Sequence, residues 1–200
     1  TVRAEALPAL DSRIQVLGRA SRALPDSLRF DWPGSGLEIR FEGGPLTLKL
    51  AGVGLQYNLS LDGGPSVTWK SAPGREERLV ESPSPGPHVL RLTRRSDGNM
   101  GISSFGGIVL GQGTRVLDPA PRPARRLEFF GDSFTAGYGV EGTSLACTDT
   151  PNYHNADLAF GSLLGRRLGC DVRLTAISGK GLGRNYGDKK TTSTDPFGLF

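Results

Sequence analysis

The chain has 200 residues, with 24 lysines and arginines against 20 aspartates and glutamates and a net charge of +4. Apolar content is ordinary and no segment approaches the length of a membrane span, which argues against a membrane partner. Basic residues fall in scattered pairs (Arg94-Arg95, Arg125-Arg126, Arg166-Arg167, Lys189-Lys190) interleaved with acids, the pattern of a solvated surface rather than a nucleic-acid groove.

From about Ile14 to Leu110 the sequence reads as strands and turns. Leu37–Phe41, Leu46–Leu50, Leu55–Leu61 and His88–Leu92 alternate apolar and polar residues with period two, so each presents one buried and one wet face. Between them stand Pro33-Gly34-Ser35-Gly36, Gly43-Gly44-Pro45, Asp62-Gly63-Gly64-Pro65 and Pro83-Ser84-Pro85-Gly86-Pro87, residues that fix φ or allow positive φ in tight turns. Seven to nine short strands at this spacing predict an antiparallel β-sandwich, a jelly roll, over residues 1–118.

Alternating prolines in Asp118-Pro119-Ala120-Pro121-Arg122-Pro123-Ala124 predict an extended connector over residues 119–125. A second unit, 126–200, then opens with a strand ending at Phe130. An amphipathic segment follows from Ala156 to Leu168, with Phe160, Leu163, Leu164 and Leu168 on one helical face and Gly169 as its cap. Asp171–Ile177 reads as the next strand. Strand, helix and strand at this length predict a βαβ unit with parallel strands, the opening of an α/β domain whose remaining elements lie beyond Phe200.

The chemistry sits where these strands end. Gly131-Asp132-Ser133 closes the first, placing a serine hydroxyl at the carboxyl end of a rigid element, where open α/β sheets bind ligands. Ile177-Ser178-Gly179-Lys180-Gly181-Leu182-Gly183 closes the second, and glycine there lets a backbone N–H approach a reacting oxygen. Gly181 and Gly183 serve equally well as plain loop residues. Three other motifs fail on residues: Thr135 breaks a Gly-x-Ser-x-Gly elbow, Gly181 replaces the Ser or Thr of a Walker A loop, and Tyr186 stands where a dinucleotide fingerprint needs glycine. No cofactor and no metal is called for. Asp132, next to the serine on the strand, is expected to point elsewhere and bond loop backbone.

Gly131-Asp132-Ser133-Phe134-Thr135 resembles the first signature block of the SGNH (GDSL-type) hydrolases, and Ser178-Gly179 resembles their second. Together with the sandwich and the proline connector, "LEFFGDSFTAGYG" and "LTAISGKGLGRNYG" resemble carbohydrate esterase family 2. That resemblance, extending from about Leu17 to Gly187, implies a serine esterase with a flavodoxin-like catalytic domain that removes acetyl groups from plant cell-wall polysaccharides such as xylan and glucomannan. It implies a secreted or periplasmic protein; Thr1-Val2-Arg3 shows no apolar h-region, and since a mature or trimmed secreted chain would look the same, this start says little. Ser133 would be the nucleophile, and the backbone N–H groups of Ser133 and Gly179 would donate to the oxyanion. The family's third block (Gly-x-Asn-Asp) and last block (Asp-x-x-His) do not occur, so the oxyanion asparagine and the catalytic histidine are absent from the chain and these 200 residues alone are expected to be inactive.

Two histidines are present. His88 falls on an alternating strand beside Leu90 and Leu92, which predicts a hydrogen-bonded core residue. His154 lies in a loop after Ser133 and could approach it, but a base needs an orienting neighbour, and the resemblance puts the base elsewhere. Trp32 and Trp69 offer rings for sugar stacking or for the sandwich core. Asn58-Leu59-Ser60 matches a glycosylation sequon in mid-strand. Cys147 and Cys170 fit no zinc spacing and read as plain thiols, with pairing left open. Two alternatives to the polysaccharide esterase are a non-catalytic glycan-binding protein and an SGNH esterase or lipase acting on a small ester or a lipid.

Overall fold

A computed structural model describes residues 5–82, 84–144, 146–147 and 151–189. Thr1–Arg3, Pro83 of the proline-rich turn and Lys190 of the last basic pair lie outside the described residues. The strands are β1 (Ala6–Leu7), β2 (Ile14–Leu17), β3 (Ser21–Leu24), β4 (Ser27–Phe30), β5 (Gly36–Glu42), β6 (Leu46–Ala51), β7 (Gln56–Leu61), β8 (Val67–Lys70), β9 (Arg75–Val80), β10 (Pro87–Arg94), β11 (Ser103–Leu110) and β12 (Arg115–Val116).

They form two six-stranded sheets. One runs β3-β4-β11-β6-β9 with β1 also on β11; the other runs β12-β5-β10-β7-β8 with β2 also on β5. Every pair in both sheets is antiparallel. The count exceeds the seven to nine strands expected, because short pieces such as β1, β3 and β12 extend the edges without a run long enough to alternate. The alternating segments do become β5, β6, β7 and β10. Their inward residues, with Phe30, Tyr57 and Phe105, make one continuous core between the sheets. Burying each such leucine stabilises the sandwich by roughly 1.5–3 kcal/mol.

Strand β7 departs from simple alternation: Gln56 and Asn58, on its outer face, are buried. What covers them is the segment after Ser133. Gln56 donates to Asn152 (2.7 Å), and Asn58 donates to Asn155 (2.8 Å) and Asp157 (2.8 Å). Thr93 of β10 donates to the same Asp157 oxygen (2.7 Å), and Arg95 pairs with Glu141. Gln56, Asn58, Thr93 and Arg95 of the sandwich face thus meet partners across the junction.

The connector has no regular structure from 117 to 125, yet it is pinned. Leu117 N–H bonds Arg40 O (2.7 Å), Asp118 O accepts from the Arg40 guanidinium (3.0 Å), and Arg122 reaches Val16 O (2.6 Å) and Asp171 (3.3 Å). Beyond it come β13 (Arg126–Gly131), the single turn α1 (Ser133–Ala136), α2 (Phe160–Leu168) and β14 (Asp171–Ala176), with β13 and β14 paired in parallel from Arg126↔Asp171 to Gly131↔Ala176.

Helix α2 corrects the expectation drawn from its leucines. The face it buries is Gly161, Ser162 and Gly165, while Phe160, Leu163, Leu164 and Leu168 are 42–53% exposed. The reason is steric. A Cβ on Gly165 would overlap Val172, and one on Gly161 would crowd Phe129 and Leu174, so the glycine side lets the helix lie close on the two strands.

Candidate active site

The parallel register sets the site. Gly131 and Ala176 are paired at the carboxyl ends of β13 and β14, and Ile177 N–H bonds Gly131 O (3.2 Å), so Ser133 and the Ser178-Gly179 turn leave the sheet side by side. Both line one open cleft of about 1070 Å³.

Ser133 is the first residue of α1. Asp132 precedes it as N-cap, its Oδ1 accepting from Phe134 N–H at 3.1 Å, so this carboxylate does bond loop backbone while its residue also borders the cleft. Gly131 is demanded by Thr135, whose buried hydroxyl lies where a Cβ would stand. After α1, Gly137 takes the left-handed conformation (φ 80°), and its O accepts from Asn155 N–H at 2.9 Å. Asn155 in turn is held by Asn58 and Glu141. The turn carrying Ser133 is therefore tied, through Gly137 and Asn155, to the outer face of the sandwich. The Ser133 hydroxyl has no hydrogen-bond partner among the described residues.

Gly179 has φ +79°, its carbonyl accepts from Tyr186 N–H (2.8 Å), and Lys180 N–H bonds Ile177 O (3.1 Å). Gly181 N–H reaches the Asn185 side chain (3.2 Å), which gives that glycine a closed loop rather than a free one. Against Ser178 stands a residue that no local sequence pattern singles out. Asp97, in the connection between β10 and β11, accepts from Ser178 N–H (3.2 and 3.3 Å) and from the Ser178 hydroxyl. Ser96-Asp97-Gly98-Asn99 reads locally as a turn, and no pattern in it points to a serine 81 residues away.

The rings around the cleft are not the tryptophans. Phe134 (81% exposed), Tyr138 (37%) and Tyr186 (93%) border it. Trp69 is enclosed in the sandwich core, 6.0 Å from the Tyr57 ring, with its indole N–H on Glu76 (3.1 Å), so no face of it is offered to a sugar. Trp32 is half-buried beside a separate cavity of about 410 Å³ that it shares with Arg29 and Ile102. His88 is 5% exposed, bonded to Asp62 (2.7 Å) and Ser84 O (2.9 Å). His154 is buried with its ring 4.4 Å from that of Tyr138. The sequon residue Asn58 is buried and bonded. Cys147 and Cys170 are both free thiols.

The described residues thus combine an antiparallel two-sheet sandwich with a parallel strand pair that ends beside Ser133. Residues 16–121 match the family model described as carbohydrate esterase 2 N-terminal, so the chain belongs to carbohydrate esterase family 2. It is 33% identical over 191 residues to an acetylxylan esterase / glucomannan deacetylase of Cellvibrio japonicus, covering 92% of this chain and 52% of that protein. Two solved structures are similar. A family two carbohydrate esterase from Clostridium thermocellum, in complex with cellohexaose, superposes with TM-score 0.83 at 29% identity, over 88% of this chain and 55% of that one. A family two carbohydrate esterase from Cellvibrio japonicus gives 0.89 at 25% identity, over 99% and 60%. The chain thus spans between 52% and 60% of the length of these relatives. Among the described residues no helix is long and apolar enough to cross a membrane.

Proposed function

We propose that this chain carries the nucleophile half of a serine esterase that removes acetyl groups from plant cell-wall polysaccharides of the xylan and glucomannan type. The observation that carries the reading is the pairing of β13 with β14, which brings Ser133 and Gly179 to one cleft from the ends of adjacent strands. Ser133 Oγ attacks the acetyl carbonyl and gives its proton to a base supplied from outside these residues. The N–H groups of Ser133 and Gly179 stabilise the oxyanion, the sugar oxygen leaves with that proton as a free hydroxyl, and water then cleaves the acetyl-enzyme to acetate and restores the serine hydroxyl. Phe134 and Tyr186, exposed at the cleft, offer ring faces for the polysaccharide, and Trp32 a further one at its own cavity. Neither Gly-x-Asn-Asp nor Asp-x-x-His occurs in the 200 residues, so the base and the oxyanion asparagine come from outside them, and residues 1–200 alone are inactive.

The strand orders β4-β11-β6-β9 and β5-β10-β7-β8, with sequential strands crossing between the sheets, support a jelly roll for residues 1–118. The stretch 119–125 serves as connector, and 126–200 opens an SGNH domain. The substrate places the protein outside the cytoplasm.

The test uses the protein translated through its whole coding frame. A fluorophosphonate labels Ser133, and Ser133→Ala reduces acetate release from acetylated xylan by about four to six decades. Labelling at another residue, or none, refutes the reading.

A further inference from the structure

We propose that Asp97, a residue of the β-sandwich, is a positioning residue for the oxyanion turn. The proposal rests on the esterase reading above, in which the Gly179 N–H faces the developing oxyanion.

Gly179 has no side chain to lock its peptide, and glycine reaches its φ of +79° as readily as negative φ, so the direction of its N–H depends on bonds made by its neighbours. Its own loop supplies two backbone bonds, Lys180 N–H to Ile177 O and Tyr186 N–H to Gly179 O, and Tyr186 is 93% exposed. A further restraint comes from the other part of the molecule. Asp97 takes the Ser178 N–H on both carboxylate oxygens, at 3.3 and 3.2 Å, and the Ser178 hydroxyl on Oδ2. Two donors of one residue on one carboxylate fix its backbone and its χ1 together, and with them the direction of the peptide that carries Gly179 N–H.

Asp97 can act this way because it is itself held. It is 2% exposed and caps the 3-10 turn Gly98–Met100, accepting from Asn99 N–H at 3.5 Å. Its carbonyl takes the Arg94 guanidinium at 2.7 Å. Arg94 is fully buried and also donates to Ser96 O and Ser103 Oγ (both 3.1 Å), and Ser103 receives the Tyr57 hydroxyl at 2.8 Å. The restraint on the turn thus runs back to the middle of the sandwich core. Gly98 allows the approach, since a Cβ there would stand 3.1 Å from Ile177 Cγ1.

Donors to an oxyanion act only when placed in advance, and a misplacement near 1 Å costs about 100-fold in rate. The experiment compares wild type, Asp97→Asn and Asp97→Ala in the protein translated through its whole coding frame. It measures kcat and KM for an acetyl ester, Tm, and hydrogen exchange at the Ser178 amide. Asp97→Ala is expected to lower kcat about 10- to 100-fold with KM within about twofold, and to speed exchange at Ser178. Asp97→Asn keeps the cap and one acceptor and shows a smaller loss in the same direction; it carries the test if the alanine variant does not fold. A folded variant with wild-type kcat, or a rise in KM alone, overturns the proposal. Wild-type protein that neither labels at Ser133 nor releases acetate overturns the esterase reading instead, before any variant is compared.

Discussion

Arg19 and Glu128 lock the sandwich to the strand that carries the serine: Nη2 stands 2.6 Å and Nε 2.9 Å from the same carboxylate oxygen. Thr175 on the neighbouring strand donates to that oxygen as well, at 2.8 Å. Burial pushes the Glu128 carboxyl up, but the bonds from Arg19 and Thr175 outweigh it and hold the group below its ordinary 4.5. A depressed carboxyl contributes stability above its unfolded value and loses it as pH falls through the folded one. With both side chains about a quarter to a third exposed, Glu128→Gln should cost about 1–2 kcal/mol at pH 7. Urea melts should show the gap from wild type closing as pH drops below 4.5.

The pair His88 and Asp62 works in the opposite sense. Both ring nitrogens face acceptors, so the imidazolium satisfies both, and Ser84 O first and Asp62 second raise the His88 pKa above 6.5. The Val89 N–H, then His88, keep Asp62 below 3.8. His88 therefore stabilises the fold fully below 6.5 and ceases to do so as pH rises through its folded value. An NMR titration of the ring should show a midpoint above 6.5 that moves down in Asp62→Asn; an unmoved midpoint would exclude the pair as a cause.

Gly165 faces Val172 with no room for a methyl group. Alanine is favoured over glycine in a helix by about 1 kcal/mol, yet Gly165→Ala should destabilise by roughly 1–3 kcal/mol through overpacking. Adding Val172→Ala should recover part of the loss, a coupling that a double-mutant cycle measures directly.

Cys147 should be a reactive thiol near neutrality. The backbone of Ser144 and Thr143 and their hydroxyls lower it to about 7. Its alkylation by iodoacetamide should reach half its limiting rate near pH 7, and Ser144→Ala should move that midpoint upward.

Period-two alternation located β5, β6, β7 and β10 because each of these strands has one face on the core. It passed over β9, Arg75-Glu76-Glu77-Arg78-Leu79-Val80, whose charges suit a sheet edge and which is a strand only because β6 pairs with it. For α2 the pattern identified a helix but not its buried side, since glycine's value in close packing does not register as hydrophobicity. Ser133 and Gly179 could be named as candidates from local residues at strand ends, and the structure sets both on one cleft. Asp97 could not, because its bonds to Ser178 exist only after two distant segments meet, and the same is true of the bonds of Asn155 and Asp157 beneath β7.

The proline stretch between the two parts is fastened along its length, through Leu117, Asp118 and Arg122, to the surfaces on either side of it. A module traded freely among unrelated proteins would meet its neighbour across an indifferent surface on a slack tether. Here an exchanged sandwich would have to bring matching residues for Glu128, Asn155, Asp157 and Ser178, so a graft fails unless both sides of the seam travel together.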